Sequence, residues 1–164
     1  GKDMKVIKNF LEQDYFNKIK SAIVNNETFP FYFKPAVASE SDKKTLKQFY
    51  FAHVVYDNHQ VNSETFNLLL PLLEKMDVKA LIRIKVNLYS RTDKLLKHYS
   101  HVDDNFKHKG MILSLNTCNG GTTIGKKFVQ SIENQALFFD PSTKHHSTNC
   151  TDQQGRWNIN INYF

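Results

Sequence analysis

The chain has 164 residues, 40% of them hydrophobic and 23% charged, with thirteen Phe, seven Tyr and a formal charge of +6. This length suits one domain with a real core and is too short for two, the balance excludes a disordered chain, and so many aromatics favour sheets. No run approaches the roughly 18 apolar residues of a membrane span and no apolar signal region follows the N-terminal lysines. Two cysteines without C-x-x-C spacing, Cys118 and Cys150, are too few to staple the domain, so a cytoplasmic, reducing setting is expected.

With Gly1 standing where a methionine would start, the first few residues are expected to carry no functional weight. Residues 11–25 form an amphipathic helical pattern, with Tyr15, Ile19, Ala22 and Ile23 at helical spacing and Asn9 upstream as a cap. Residues 29–33 read as a short aromatic extended piece broken by Pro30 and Pro35, and residues 39–44 as a polar loop that could cover a site. A strand over 49–56 ends at Asp57, Asn58 and His59; Ser63 then caps a second helix carrying Phe66, Leu69, Leu70 and Leu73.

From residue 81 the pattern becomes strand after strand. In 81–89, Ile82, Ile84, Val86 and Leu88 alternate with Arg83, Lys85, Asn87 and Tyr89. Residues 111–115 and 122–124, with a turn at Asn119, Gly120 and Gly121, are expected to pair, and 135–139 is another short strand. In 156–164, Trp157, Ile159, Ile161 and Tyr163 oppose Arg156, Asn158, Asn160 and Asn162. Two helices and about six strands predict an α+β, mainly β domain over 1–164: a sandwich or barrel core at 81–164 buttressed by a support region at 1–80. Inward asparagines would be costly in a dry core, so a wet, ligand-lined cavity between the sheets is expected.

His101 and Asp103 lie two residues apart and face one side of an extended segment, where they can share one ion. A second cluster, His145 and His146, precedes the last strand, and strands can bring the two together. Two imidazoles and one carboxylate on one face of a metal, with open positions opposite, is the arrangement of non-haem Fe(II) oxygenases. Zinc ranks second, since a structural zinc wants four closed ligands and the cysteines supply no zinc motif. Arg156 opens the last strand on the face of Asn158 and Asn160, and its planar fork of donors suits the end of a dicarboxylate.

The ordered pattern His101-x-Asp103, then His145 or His146, then Arg156 resembles the Fe(II)- and 2-oxoglutarate-dependent dioxygenases. The resemblance extends to Gly120-Gly121 before a strand, the Asp140 approach to the second histidine and the closing strand, and so covers 81–164. Within that family the chain is similar to the prolyl-4-hydroxylase-like branch and to small oxygenases encoded by tailed phages of aquatic bacteria. The resemblance implies a distorted double-stranded β-helix, of jelly-roll or cupin type, with Fe(II) as cofactor and 2-oxoglutarate and O2 as co-substrates. It assigns His101, Asp103 and His145 to the iron, favouring His145 because the run Asp140-Pro141-Ser142-Thr143 leads to it, although Lys144 stands where relatives often have proline. It assigns Arg156 to the far carboxylate of 2-oxoglutarate, and either Tyr89 or its rival Asn87 to a hydrogen bond with the co-substrate. His53, His59, His98 and His108 read as surface or packing residues, and the cysteines as semi-buried thiols.

The resemblance implies decarboxylation of 2-oxoglutarate to succinate and CO2 with hydroxylation of an unactivated C–H bond, on a protein or peptide side chain, proline being the first candidate. A nucleic-acid partner ranks lower. The positive balance favours polyanions and the closing Arg156-x-Asn158-x-Asn160-x-Asn162 resembles the strand of AlkB-like demethylases, but Asn162 stands where they carry arginine. The lysines are also scattered, and the densest cluster, Lys43, Lys44 and Lys47 beside Lys34, reads equally as a solvated face. A non-catalytic metal-binding or virion scaffold is the reading from another class. The sequence does not disclose the oligomeric state.

Overall fold

The computed structural model describes residues 4–36 and 45–164. The polar loop expected at 39–44, with Lys43 and Lys44, therefore lies outside the described residues. Among the described residues eleven strands and two helices follow in the order β1 (Lys5–Ile7), α1 (Gln13–Ile23), β2 (Tyr32–Lys34), β3 (Tyr50–Asp57), β4 (Gln60–Val61), α2 (Thr65–Lys75), β5 (Leu81–Ser90), β6 (Lys109–Ser114), β7 (Gly121–Ile124), β8 (Lys127–Gln130), β9 (Ala136–Phe139), β10 (His145–Ser147) and β11 (Gly155–Tyr163). Eight strands make one sheet in the order β1-β9-β6-β11-β5-β3-β2, with β4 on β3, and β10-β7-β8 make a second. All pairings are antiparallel, and the whole is the jelly-roll double-stranded β-helix that the resemblance implies.

One face of the large sheet is the core. Val55 of β3, Ile84 and Val86 of β5, Met111 and Leu113 of β6 and Ile159 and Ile161 of β11 pack against Phe16, Ile19 and Ile23 of α1 and Leu69, Leu72 and Leu73 of α2. The helices cover this face because their apolar residues recur every three or four positions. Leu70, expected to face inward, is 45% exposed, and Leu72 takes its place.

Two further expectations are corrected. Asn9 does not cap α1: it turns the chain at φ 52°, and Glu12 occupies the cap position without a side-chain cap bond. The approach to the helix is fixed instead by Asn134, whose Oδ1 accepts from the Leu11 amide at 3.0 Å and whose Nδ2 donates to the Leu11 carbonyl at 2.8 Å. Nor do 111–115 and 122–124 pair. β6 lies between β9 and β11, whereas β7 crosses to the second sheet between β10 and β8. The turn at Gly120 and Gly121 makes that crossing possible, because a Cβ on Gly120 would collide with the Asn149 carbonyl and one on Gly121 with the Val129 carbonyl. The strands not anticipated, β1, β4, β8 and β10, are two to four residues long. Such runs are too short to display a period.

Candidate metal centre

β5 and β11 are registered residue for residue: Arg83 opposite Asn162, Lys85 opposite Asn160, Asn87 opposite Asn158, and Tyr89 opposite Arg156. Side chains alternate across a strand, so these eight share the face turned away from the helices. Opposite them, β10 brings His145 to the inner side of the second sheet. An antiparallel bridge then ties the loop before β6 to β10, with the His101 amide donating to the His145 carbonyl and the His145 amide to the His101 carbonyl, each at 2.9 Å. The Asp103 amide donates to the Pro141 carbonyl at 3.0 Å. Three far-apart stretches are thus held together by main-chain bonds before any side chain is considered.

The side chains converge. His101 Nε2 lies 3.3 Å and His145 Nε2 3.2 Å from the same oxygen, Asp103 Oδ1, and the imidazole rings are 4.6 Å apart. Their potential ligand atoms all lie within 4.8 Å of one another. His145 is buried and braced edge-on by Phe139, with ring centres 5.0 Å apart. The converging group contains His145 and not its half-buried neighbour His146.

The tautomers follow from the hydrogen bonds. His145 Nδ1 is 2.8 Å from the Thr143 carbonyl and His101 Nδ1 3.2 Å from the Tyr99 carbonyl; a carbonyl only accepts, so each Nδ1 carries the hydrogen. In neutral rings both Nε2 lone pairs then face a carboxylate oxygen, an arrangement that repels unless a cation sits between them. Backbone carbonyls orienting ligating imidazoles are the usual outer shell of a metal site. Burial pushes the Asp103 carboxyl up, but with both Nε2 atoms protonated and donating to it, and with the Arg83 charge nearby, the group is held well below the usual carboxylate range; a cation in place of those protons would act in the same sense. The second oxygen of Asp103 accepts from Asn162 Nδ2 at 3.1 Å and lies 3.9 Å from Arg83 Nη2. The donor set of two neutral nitrogens and one carboxylate oxygen therefore fits a divalent ion of the iron or zinc kind.

Beside this trio lies a cavity of about 160 Å³, whose wall includes Tyr50, Arg83, Lys85, Asn87, Tyr89 and Asn160. Asn87 Nδ2 donates to Asn158 Oδ1 at 3.1 Å, and the Oδ1 atoms of Asn87 and Asn160 are buried without a partner. Tyr89 stacks on Tyr50 with ring centres 5.7 Å apart, and burial pushes its phenol up to about 12.

Arg156 sits deeper, at 1% exposure, and is not on the wall itself. Its Nη1 donates to the Gly121 carbonyl at 2.9 Å and the Thr148 carbonyl at 3.0 Å, and its Nη2 to Thr122 Oγ1 at 2.8 Å. The guanidinium carbon lies 5.4 Å from the centre of the Tyr89 ring, and Nε has no acceptor. Among the described residues no carboxylate pairs with it, so burial pulls its pKa down. A buried cation in that condition is poised for an anion.

Of the other histidines, His53 is a packing residue, bonded to the Pro30 carbonyl and Ser63 Oγ at 2.8 Å each; His98 and His108 are buried and His59 is exposed. Both cysteines are free and fully buried rather than partly so. Sequence reasoning missed the bond from Asn162 to Asp103, and the placing of Arg83, Lys85 and Tyr50 on the cavity wall. For Arg83 and Lys85 the signal was present, since they alternate in step with Asn87 and Tyr89.

No protein-family model matches the sequence, and no curated protein matches it. Solved structures do. The chain is similar to a prolyl hydroxylase from Trichoplax adhaerens in complex with a hypoxia-inducible-factor peptide fragment, at TM-score 0.72 and 14% identity over 98% of this chain and 83% of that one. It is similar to a 2OG-Fe(II) oxygenase-family oxidoreductase from Burkholderia pseudomallei, at TM-score 0.71 and 11% identity over 98% and 84%. A viral collagen prolyl hydroxylase from Paramecium bursaria Chlorella virus-1, in its 2OG complex, matches at TM-score 0.62 and 13% identity over 99% and 96%. At these identities the likeness establishes the shared fold. No helix among the described residues is long and apolar enough to cross a membrane.

Proposed function

We propose that this chain is an Fe(II)- and 2-oxoglutarate-dependent dioxygenase that hydroxylates an unactivated C–H bond of a protein or peptide side chain. The observation that carries the reading is the meeting of His101 Nε2, His145 Nε2 and Asp103 Oδ1 within 3.3 Å, with both Nδ1 hydrogens engaged by carbonyls. The fold shared with oxygenases of this kind supports it, and the likeness to a prolyl hydroxylase in complex with a peptide fragment and to a collagen prolyl hydroxylase favours a peptide substrate.

An Fe(II) bound by the trio would supply the redox chemistry by which O2 is reduced. The chain's own part is to bind and orient. His101, Asp103 and His145 would hold the ion, and Asn162 and the two carbonyls orient those three side chains. Arg156 would supply the buried positive charge for the far carboxylate of 2-oxoglutarate, and either Tyr89 or Asn87, both on the cavity wall, would donate a hydrogen bond to the co-substrate. In the balanced reaction O2 accepts four electrons, two from 2-oxoglutarate and two from the C–H bond; one oxygen atom enters succinate, the other the new hydroxyl, and CO2 departs. The nucleic-acid demethylase reading lacks comparable support, because Asn162, at the position of that pattern's last arginine, is bonded to Asp103.

Anaerobic addition of Fe(II) and 2-oxoglutarate to the purified protein is expected to produce a weak visible charge-transfer band. The band should be absent in Asp103→Ala and diminished in Arg156→Ala. A wild-type protein without the band, or an Asp103→Ala protein that keeps it, contradicts the reading and favours a metal-binding scaffold without turnover.

A further inference from the structure

The wall nearest the trio carries a charge pair that the proposed chemistry does not use. Arg83 and Lys85 project from β5 into the cavity, each opposite an inward asparagine of β11. Arg83 Nη2 is 3.9 Å from Asp103 Oδ2. Lys85 Nζ donates to Tyr50 Oη at 2.9 Å and lies 5.0 Å from the centre of that ring. Among the described residues Asp103 is the one carboxylate on this wall, and its charge belongs to the metal. On the hydroxylase reading one carboxylate of 2-oxoglutarate would go to the metal with Asp103 and the other to Arg156, which would leave Arg83 and Lys85 without an anion of their own.

Such an arrangement is unfavourable in the empty cavity. A lysine ordinarily keeps its ammonium in water; here one of three donors meets Tyr50, and burial, reinforced by the Arg83 charge, lowers its pKa from 10.5 to about 7. A carboxylate between the two would offset that cost through charge-assisted hydrogen bonds and favour the charged form of Lys85. A prolyl ring would do the reverse. It offers neither charge nor donor, would cut Arg83 and Lys85 off from water, and would leave the buried Asn160 Oδ1 without a partner.

We infer that the side chain oxidised by this protein carries a carboxylate held by Arg83 and Lys85, and that the substrate is therefore an acidic residue of a peptide rather than a proline. The inference rests on the hydroxylase reading and narrows its substrate. Because Arg83 also lies against a metal-ligating carboxylate, the bond attacked is a C–H of the methylene chain next to the bound carboxylate. That bond becomes C–OH, with O2 as oxidant and 2-oxoglutarate as the co-reductant that leaves as succinate and CO2.

The test uses the full chain loaded with Fe(II) and 2-oxoglutarate and a set of end-blocked pentapeptides that differ only at a central aspartate, glutamate, asparagine, glutamine or proline. Succinate release and peptide mass are followed, with free aspartate and glutamate as separate arms. The aspartyl or glutamyl peptide is expected to raise succinate release about tenfold or more and to gain one oxygen atom, while its amide isostere and the prolyl peptide do far less, because a site built for a charged partner rejects the uncharged analogue strongly. Lys85→Met should raise the KM for the acidic peptide about tenfold or more, with Lys85→Arg restoring much of it and the KM for 2-oxoglutarate moving far less.

Equal stimulation by the prolyl or amide peptides overturns the inference, as does a Lys85→Met defect that falls on 2-oxoglutarate instead. Stimulation by the free amino acids alone keeps the carboxylate contact but overturns the peptide assignment. A protein that forms the charge-transfer band yet responds to no acid retains the hydroxylase reading and loses this inference; one that forms no band loses both.

Discussion

The two faces of the same two strands differ as sharply as any two regions of this molecule. On β5 and β11, Ile84, Val86, Ile159 and Ile161 are fully buried against the helices. One residue away in each direction, the opposite face carries Arg83, Lys85, Asn87, Tyr89, Arg156, Asn158, Asn160 and Asn162. Of the six buried polar atoms without partners among the described residues, four belong to this second face: Asn87 Oδ1, Arg156 Nε, Asn160 Oδ1 and Asn162 Oδ1. A native core rarely leaves such atoms unsatisfied. One face thus supplies stability, and the other holds polar groups ready for partners that come from outside the chain.

Substitutions on the two faces should therefore fail in different ways. The largest effect belongs to the dry face: Ile159→Ala should destabilise the fold by about 2–5 kcal/mol in urea unfolding, through lost burial and a residual cavity. Its folded fraction should still bind Mn(II) with wild-type affinity. A stable Ile159→Ala protein with impaired metal binding would erase the distinction between the faces. A smaller effect is expected from Asn162→Ala, which removes the donor to Asp103 Oδ2 while leaving all three ligands in place. Mn(II) affinity should weaken by about tenfold, as is typical when an outer-shell partner is lost, with little change in urea midpoint. Unchanged affinity would mean that the Pro141 carbonyl, the Arg83 charge and its own ligation hold Asp103 without help from Asn162.

What could be read from sequence divides along the same line. The long alternating strands, β5 and β11, declare both faces by their period of two, and with them the positions of Arg156, Asn87, Tyr89 and the inward asparagines. The helices declare themselves by their apolar spacing. β10 is three residues long and shows no period, so its histidines stood out by residue type alone. Which of the two turns inward depends on the bridge between His101 and His145, a contact 44 residues apart in the chain that no local pattern encodes. The pairing of β7 with β8 and β10 instead of β6 was hidden for a related reason: crossing between sheets is decided by close backbone approach at Gly120 and Gly121. The depth of Arg156 behind Tyr89, and the bond from Asn162 to Asp103, are likewise tertiary facts. Arg83 and Lys85 were legible as facing the cavity, but their lack of an anion becomes visible only when the whole wall is assembled.

The most direct test is anomalous diffraction at the iron edge from crystals grown anaerobically with Fe(II). A single strong peak bonded to His101 Nε2, Asp103 Oδ1 and His145 Nε2 is the predicted result. A peak at His146 or elsewhere, or a fully occupied ion that leaves Asp103 unligated, would contradict the account.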